Sequence, residues 1–510
     1  MEVTLTGKPL TIEDVIAIAR RGAKVTLAPE ARGAITRSRS ALEATIAAGG
    51  LHYGVNTGFG SLARRRVEGA SLRQLQINLL RSHAAGIGPA LPDDATRGML
   101  VLAAASLSRG LSGVRPVVVD RLLDLLNTGI TPVVPEIGSV GASGDLAPLA
   151  HAALVLAGEG FARLPGPLDA ERKPRPGAEV LQALQLEPIE LDAKEGLALI
   201  NGTHLMASRA ALACDDAARL LHAAELAAAM SIDACRATNT FLDERVYTAR
   251  AHAGPKQTAA NIRAWMAGSQ IVASHRANDP RVQDPYSLRC APIVLGAARD
   301  AIEYVRARTD AELGAVSDNP LVFPEGDAAA IISAGNFHGM PIAIPLDTLA
   351  IPVCHIAGIS ERRVYHMLSA FDPESNLNPF LSPQPGLHSG LMIVQYTAAA
   401  VCNELIGLAS PASVVNLSTS AGMEDYNSFG PRSAAKVARA IELAMDVIAI
   451  ELLCAAQAID AHRNLRTGDR LERAHALIRE RVPTLTEDRP PSPDISTIAD
   501  LIRRGAFAEC

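Results

Sequence analysis

The stretch RSAAKVARAIELAMDVIAIELLCAAQAIDAH, residues 432–462, contains good helix formers and neither proline nor glycine. It predicts one continuous helix of about 45 Å, at 1.5 Å per residue. Because it is apolar on most sides, such a helix must be buried around nearly its whole circumference, in a bundle or against other subunits. A second segment of this kind, SRAALACDDAARLLHAAELAAAMSIDA, occupies residues 208–234. The fold predicted is mainly α, with a long central helical bundle.

The first 200 residues mix short helical and short extended patterns. Thr11 and Asp14 are spaced as a capping pair at the start of a helix. KVTLAP (24–29) and PIELDA (188–193) indicate short strands or extended turns, and the Pro- and Gly-rich residues 162–188 indicate a surface connection. We therefore predict a smaller N-terminal domain, residues 1–200, and a central long-helix domain with C-terminal helices, residues 201–510.

Composition excludes several classes of partner. A net charge of -6 and a pI of about 6.1 provide no general attraction to nucleic acid or to an anionic membrane. The arginine-rich ARRR at 63–66 is interpreted as a local, solvated helix face. The seven cysteines are scattered and form no C-x-x-C pair, so neither a disulfide framework nor a zinc site is indicated. We expect a reducing compartment and no metal.

Two segments bear on membrane targeting. The N-terminus, MEVTLTGKPLTIEDV, lacks a basic region followed by an apolar core, so no secretory signal is predicted. Residues 328–345 form the longest charge-free apolar region, but they include Asn336, His338, two glycines and two prolines. That composition favours a buried loop over a membrane span. The expected location is cytoplasmic.

A glycine-rich stretch, GSVGASGDLAPLAH at 138–151, has three competing interpretations. A phosphate-binding loop is one interpretation, but no GK[ST] follows and the glycine spacing does not match G-x-G-x-x-G. A tight turn leading into a helix capped by Ser143 or Asp145 is the second. In the third, the Gly144 nitrogen closes onto the Ala142 carbonyl carbon, since only a residue without a Cβ fits that bend. Loss of water from the ring and from the Ser143 hydroxyl then leaves a methylidene electrophile.

The same stretch resembles the signature of the aromatic amino acid ammonia-lyases, the histidine ammonia-lyase family, with their autocatalytic 4-methylidene-imidazol-5-one (MIO) group. Other segments resemble family blocks in family order: YGVNTGFG (53–60), LQINLLRSHAAGIG (75–88), LALINGTH (197–204), VQDPYSLRCAP (282–292), GNFHG (335–339) and GLHSGLMIVQ (386–395). The resemblance runs from near Thr11 to residues 488–495. The chain is most similar to the shorter, bacterial histidine ammonia-lyases.

The resemblance implies loss of ammonia from an amino acid to give an α,β-unsaturated acid. It also implies a homotetramer whose active sites each draw residues from three chains, with no external cofactor. The MIO would form from Ala142, Ser143 and Gly144. The other implied roles are Tyr53 as the base, Asn201 and Gln283 holding the MIO oxygen and substrate, Phe337 packing beside the MIO, Tyr286 shuttling protons and Arg289 binding the substrate carboxylate. Tyr286 and Arg289 lie three apart, so on a helix they share a face.

Two residues indicate which ring is bound. His83 follows Ser82 in the histidine-type arrangement, and Glu424 stands where histidine-type enzymes have glutamate and phenylalanine-type enzymes have glutamine. An imidazole and a carboxylate suit a ring with N–H groups and would be poorly satisfied around a phenyl ring. The resemblance therefore implies elimination of ammonia from L-histidine to give urocanate.

Departures from the histidine-type pattern keep alternatives open. Met423 replaces a glutamine, and Gly339 and Met340 stand where an acidic residue is usual. Residues 403–422 lack the lysine that the family usually has after NE, and they lack the family's own proline-bearing run. One alternative is a lyase or 2,3-aminomutase acting on phenylalanine, tyrosine or a related amino acid. A second is a catalytically silent scaffold paralogue. A third is the helical fumarase and argininosuccinate-lyase group, which forms no MIO.

Overall fold

A computed structural model describes residues 1–49, 51–58, 67, 71–166, 172–277 and 279–510. The ARRR segment and the last two residues of YGVNTGFG lie outside the described residues. The helices are α1 (Ile12–Ala19), α2 (Pro29–Ala48), α3 (Leu72–His83), α4 (Asp93–Leu107), α5 (Pro116–Thr128), α6 (Leu146–Leu156), α7 (Gly177–Ala183), α8 (Glu195–Ile200), α9 (His204–Ala234), α10 (Glu244–Thr248), α11 (Ala253–Trp265), α12 (Gln270–His275), α13 (Tyr286–Arg289), α14 (Ala291–Glu312), α15 (Met340–Ser369), α16 (Met392–Ala409), α17 (Gly430–Asp460), α18 (Asp469–Arg481) and α19 (Ser492–Arg503).

In the described part of the chain the strands are short and form four small sheets. They are β1 (Glu2–Leu5), β2 (Lys24–Leu27), β3 (Ile87–Ala90), β4 (Thr131–Pro132), β5 (Pro135–Ile137), β6 (Phe161–Arg163), β7 (Arg175–Pro176), β8 (Leu321–Glu325) and β9 (Ala328–Ile332). β1 and β2 pair in parallel, whereas β3 pairs with β5, β8 with β9, and β6 with both β4 and β7, all antiparallel. The mainly α-helical fold predicted from the sequence is confirmed.

Contacts divide the chain into two compact units. The first contains residues 1–212, 306–346 and 411–435, and the second contains residues 213–305, 347–410 and 436–510. The division predicted between residues 200 and 201 stays a prediction. Because each unit is assembled from separate segments, side chains far apart in sequence meet within the first unit.

The N-terminal part of the first unit follows its local sequence signals. Thr11 caps α1 by accepting the Asp14 N–H, and the Asp14 carboxylate accepts the Thr11 N–H in return, which confirms the predicted capping pair. KVTLAP contributes β2, as expected. PIELDA joins no sheet, because residues 188–192 have no regular secondary structure and Ala193 lies in a turn.

The two long apolar segments form single helices, α9 and α17, as predicted. Every side chain in residues 223–234 of α9 and 447–456 of α17 is buried. Glu225 and Glu451 lie inside these stretches, and each is paired with an arginine, Arg299 at 2.6 Å and Arg363 at 2.5 Å. Pairing explains how carboxylates persist there, because an isolated buried charge is very costly.

Two local expectations were wrong. Residues 162–188 are more than a surface connection: β6 and β7 pair there, and α7 buries Val180 and Leu181. Residues 328–345 are not a buried loop, since they supply β9 and the first turns of α15 with an exposed connection between them. In both places apolar residues at intervals were enough to pair or pack short elements despite the nearby prolines and glycines.

Among the described residues, the two helices α15 and α16 are long and apolar enough to cross a membrane by length and composition alone. Core helices of water-soluble proteins share this property. In α15, 61% of the most apolar window is buried within the chain, compared with 17% in α16.

Candidate active site

Residues 138–145 of the glycine-rich stretch lie between β5 and α6, and close backbone approach explains the glycines at 141 and 144. Gly144 has φ of 74°, and a Cβ built there would collide with the carbonyl of Gly202. Gly141 has φ of 65°, and a Cβ there would collide with the hydroxyl of Ser428. No residue with a side chain fits these positions without displacing its neighbour.

Asn201 holds the central serine of this stretch. It ends α8 and is 2% exposed. Its Nδ2 donates to the Ser143 carbonyl oxygen at 2.8 Å and to the Ser143 hydroxyl oxygen at 2.7 Å. Its Oδ1 is buried and has no hydrogen-bond partner, which leaves one acceptor beside Ser143 unsatisfied.

Asp145 ties the stretch to the first turn of α9. Its Oδ2 accepts the N–H groups of Leu205 and Met206, both at 3.0 Å, and Ser139 donates to its Oδ1 at 3.2 Å. Burial raises the pKa of Asp145 to about 7, while these hydrogen bonds and the charge of Arg209 act to lower it. Asp145 occupies the N-cap position of α6, but its side chain makes no cap hydrogen bond there. The sequence therefore indicated its position and missed its role.

A cavity of about 420 Å³ opens beside Ser143 in the first unit. It brings together segments that are far apart in sequence. Its lining residues are Tyr53, Ala142, Ser143, Asn319, Ser333, Ala334, Phe337, His338, Met423, Glu424, Asp425 and Tyr426. Five residues named from the sequence as site candidates, Tyr53, Ala142, Ser143, Phe337 and Glu424, thus share one cavity.

His83 lies where the charge of the Glu424 carboxylate acts on its pKa. His83 ends α3, and its Nδ1 lies 2.9 Å from the Leu79 carbonyl oxygen. Burial lowers the pKa of His83, while the Leu79 carbonyl and the Glu424 carboxylate act to raise it. The Thr419 hydroxyl donates to Glu424 Oε2 at 3.1 Å. His83 is not among the residues that line the cavity.

Three further candidates, Gln283, Tyr286 and Arg289, belong to the second unit and do not line this cavity. Tyr286 and Arg289 share one face of α13, as their spacing predicts, with the guanidinium carbon 4.5 Å from the tyrosine ring centroid. The Arg289 Nε donates to the Asp284 carbonyl oxygen at 2.9 Å. Tyr286 is 71% exposed.

Among the cavity residues that the sequence did not single out, Asn319 and His338 make hydrogen bonds to the backbone. Asn319 Oδ1 accepts the Ala334 N–H at 2.7 Å, and His338 approaches the Tyr426 carbonyl oxygen at 3.1 Å. His338 stands next to Phe337 in the GNFHG block, which is the only signal that could have identified it. Within the described ranges, no group of three or more His, Cys, Asp or Glu side chains is arranged to hold a metal ion.

Comparison with known proteins shows the family to which the chain belongs. Residues 10–480 match the aromatic amino acid lyase family. The chain is 48% identical to histidine ammonia-lyase from Anaeromyxobacter sp. (strain K) over 505 residues, 99% of each chain. It is similar to the crystal structure of histidine ammonia-lyase from Trypanosoma cruzi, with a TM-score of 0.91 and 39% identity, covering 100% of this chain and 94% of that one. It is also similar to tyrosine aminomutase from Streptomyces globisporus, with a TM-score of 0.93 and 35% identity, covering 100% of this chain and 98% of that one. The chain therefore belongs to the aromatic amino acid lyase family of carbon–nitrogen lyases.

Proposed function

We propose that this protein eliminates ammonia from L-histidine to give urocanate. The observation that carries the proposal is the position of Glu424, which places a carboxylate in the wall of the cavity beside Ser143. An anionic oxygen suits a ring that presents N–H groups, whereas a phenyl ring would leave it unsatisfied. Relatives that carry the name histidine ammonia-lyase, at 42–48% identity over nearly the full chain, support the same assignment.

We propose that Ala142, Ser143 and Gly144 form an MIO group, and the residues present fit it. Gly144 is packed where any Cβ would collide with Gly202, and Gly144 supplies the nitrogen that must enter the ring. The Ser143 carbonyl oxygen would become the carbonyl oxygen attached to the ring. It accepts a hydrogen bond from Asn201. The chemistry that MIO supplies is an electrophile for the substrate amino group, which no unmodified side chain offers.

We assign to Tyr53 the removal of the substrate β-proton. Tyr53 lines the same cavity as Ala142 and Ser143. Two hydrogen bonds stabilise the turn that contains Tyr53. The His52 N–H donates to Asn56 Oδ1 at 2.8 Å, and the Gly54 N–H donates to the Thr57 hydroxyl at 3.2 Å. The phenol needs donors or cations that favour phenolate to act as a base near neutral pH.

The protein is proposed to act as a homotetramer in which other copies supply Gln283, Tyr286 and Arg289. A guanidinium binds a carboxylate through two parallel N–H groups, which suits Arg289 to the substrate carboxylate. Large apolar side chains exposed in the single chain support assembly: Val282, Tyr286, Ile344, Ile351, Tyr365, Ile393, Tyr396 and Ile406. A cytoplasmic location stays a prediction.

A substrate panel tests the function. Purified protein is incubated with histidine, phenylalanine and tyrosine, and the unsaturated acids are followed by ultraviolet absorbance. Urocanate from histidine is the expected product, and cinnamate from phenylalanine without urocanate would overturn the assignment. Intact mass tests the prosthetic group: the wild-type chain should lack the mass of two water molecules, and Ser143→Ala should retain its full mass.

Shared sites are tested by mixing inactive variants. Tyr53→Phe and Arg289→Met are each expected to be nearly inactive alone. Hybrid tetramers made by coexpression should regain part of the activity, because some sites then receive an intact Tyr53 from one chain and an intact Arg289 from another. Hybrids as inactive as their parents would contradict the shared site.

A 2,3-aminomutase is the second candidate, because Met423 is 64% exposed at the cavity where histidine-type sequences have glutamine. Likeness to a tyrosine aminomutase also supports it. Chromatography of the same reactions distinguishes the two outcomes, since an aminomutase returns the amine to the β-carbon and releases a β-amino acid.

A further inference from the structure

His338 uses both ring nitrogens for hydrogen bonds to the backbone. Its Nδ1 lies 3.3 Å from the Met340 nitrogen, and its Nε2 lies 3.1 Å from the Tyr426 carbonyl oxygen. A backbone N–H can only donate and a carbonyl oxygen can only accept. Nδ1 therefore accepts a hydrogen bond from Met340, and Nε2 donates one to Tyr426.

These two bonds connect two walls of the cavity. His338 follows Phe337 in the segment between β9 and α15, whereas Tyr426 follows Glu424 by two residues. The rings of His338 and Tyr426 also pack together, with centroids 6.1 Å apart and planes inclined by 31°. The imidazole thus links the segment that carries Phe337 to the segment that carries Glu424.

The next residue of the same segment contacts the glycine-rich stretch. The Gly339 N–H donates to the Gly141 carbonyl oxygen at 3.3 Å, and the Ser428 hydroxyl donates to that oxygen at 2.8 Å. Residues 338 and 339 therefore contact the Glu424 segment on one side and the Ser143 stretch on the other. A shift of the His338 bond would change the distance from the Glu424 carboxylate to Ser143.

We propose that His338 is a positioning residue that sets the separation between the ring-binding carboxylate of Glu424 and the reacting end of the cavity at Ser143. It acts through the Tyr426 backbone and not as an acid or a base, because both of its nitrogens are already engaged. The inference rests on the proposed function, in which Glu424 recognises the substrate ring.

Two isosteres separate the two hydrogen bonds. In His338→Gln the amide nitrogen can occupy the position of Nε2 and donate to Tyr426, whereas in His338→Asn the amide oxygen can occupy only the position of Nδ1. His338→Asn should raise KM for histidine roughly three- to tenfold, as expected for one lost hydrogen bond. It should also lower the ratio of kcat/KM for histidine to that for phenylalanine. In His338→Gln, the KM for histidine and the ratio of the two kcat/KM values should both be close to those of the wild type. His252→Asn, at an exposed histidine, is the matched control.

Amide hydrogen exchange reports the link without relying on activity. Peptides covering residues 419–427 should exchange faster in His338→Asn than in the wild type or in His338→Gln, while the mass deficit of two waters is unchanged. Equal exchange in all three proteins would overturn the proposal. Equal losses of kcat/KM for histidine in His338→Asn and His338→Gln would also overturn it. If the wild type made no urocanate, the proposed function would fail, and the exchange data would still decide whether His338 holds this segment.

Discussion

Gly144 and Gly202 pair as an isolated parallel bridge, and the space between their backbones excludes even a methyl group. The Gly202 carbonyl oxygen also accepts the Asp145 N–H at 2.7 Å. Two segments separated by almost sixty residues of sequence are thereby fixed against each other at the point where the proposed ring must close. The close approach explains why a chain rich in helix formers keeps glycine at both positions.

Gly144→Ala should therefore block ring formation. The added Cβ must displace Gly202, and the φ of 74° is unfavourable for alanine, so we expect a loss of about 1–3 kcal/mol in the free energy of unfolding. The intact mass should retain both waters. Gly358→Ala is the control, because a Cβ there meets no atom within 4 Å and alanine favours the helix. A dehydrated Gly144→Ala chain would contradict the proposed origin of the electrophile.

Tyr53→Phe should separate proton removal from ring formation. Loss of a general base typically lowers turnover by about 10²- to 10⁴-fold. The hydroxyl belongs to a half-buried side chain, so its removal should leave the fold and the mass deficit of two waters unchanged. Urocanate absorbance measures the loss of turnover, and intact mass shows whether the two waters are still lost. Wild-type turnover in this variant would show that another group removes the proton.

Glu424→Gln should impair histidine turnover far more than folding. Replacing a charged acceptor by a neutral amide removes a charge-assisted hydrogen bond to the ring, and kcat/KM should fall roughly 10- to 100-fold. Glu487→Gln, at an exposed carboxylate, is the control and should change neither kinetics nor stability. Unchanged kinetics in Glu424→Gln would remove the case for a histidine-type pocket.

The parts of the molecule that could be predicted from sequence depend on local signals. The Thr11–Asp14 capping box and the helices α9 and α17 needed only spacing and composition. The cavity could not be found that way, because Ser143, His338 and Tyr426 come from segments separated by up to 283 residues. Glu424 was found through family resemblance, whereas Asn319 and His338 were missed because their roles lie in hydrogen bonds to distant backbone.

The buried pair of Lys194 and Asp318 should be strongly destabilised by removal of one partner. Lys194 Nζ lies 2.6 Å from Asp318 Oδ2, and neither side chain is more than 2% exposed. Lys194→Met leaves a buried carboxylate uncompensated, at a cost of about 3–5 kcal/mol in the free energy of unfolding. Adding Asp318→Asn should recover much of that loss in urea titrations, because the charge is then removed as well.

An exposed pair is the matched comparison. Arg73 and Glu190 lie 3.5 Å apart with side chains 66% and 87% exposed. Arg73→Met should change stability by less than about 1 kcal/mol, since solvent screens such pairs. If Lys194→Met and Arg73→Met lost similar amounts of the free energy of unfolding, Lys194 would contribute through its shape rather than its charge.

His204 should make stability increase with pH over a defined window. Burial lowers its pKa from 6.5 to about 4. Between these values the unfolded chain holds a proton that the native chain does not, so the free energy of unfolding rises with pH through the window and levels above it. The contribution is on the order of 3 kcal/mol, and it is lost as pH falls towards 4.

Other groups titrate in the same range, so the variant must be compared with the wild type at each pH. Asp145 acts in the opposite direction, because its pKa is raised from 3.8 to about 7 and the native chain holds the extra proton. The free energy of unfolding of His204→Gln is therefore subtracted from that of the wild type. Because both proteins contain Asp145, its contribution cancels in this difference. In urea titrations this difference should increase from pH 4 to 6.5 and then stay constant, since neither state of His204 takes up a proton above that range. A difference that does not depend on pH would show that His204 is protonated equally in the folded and unfolded chains.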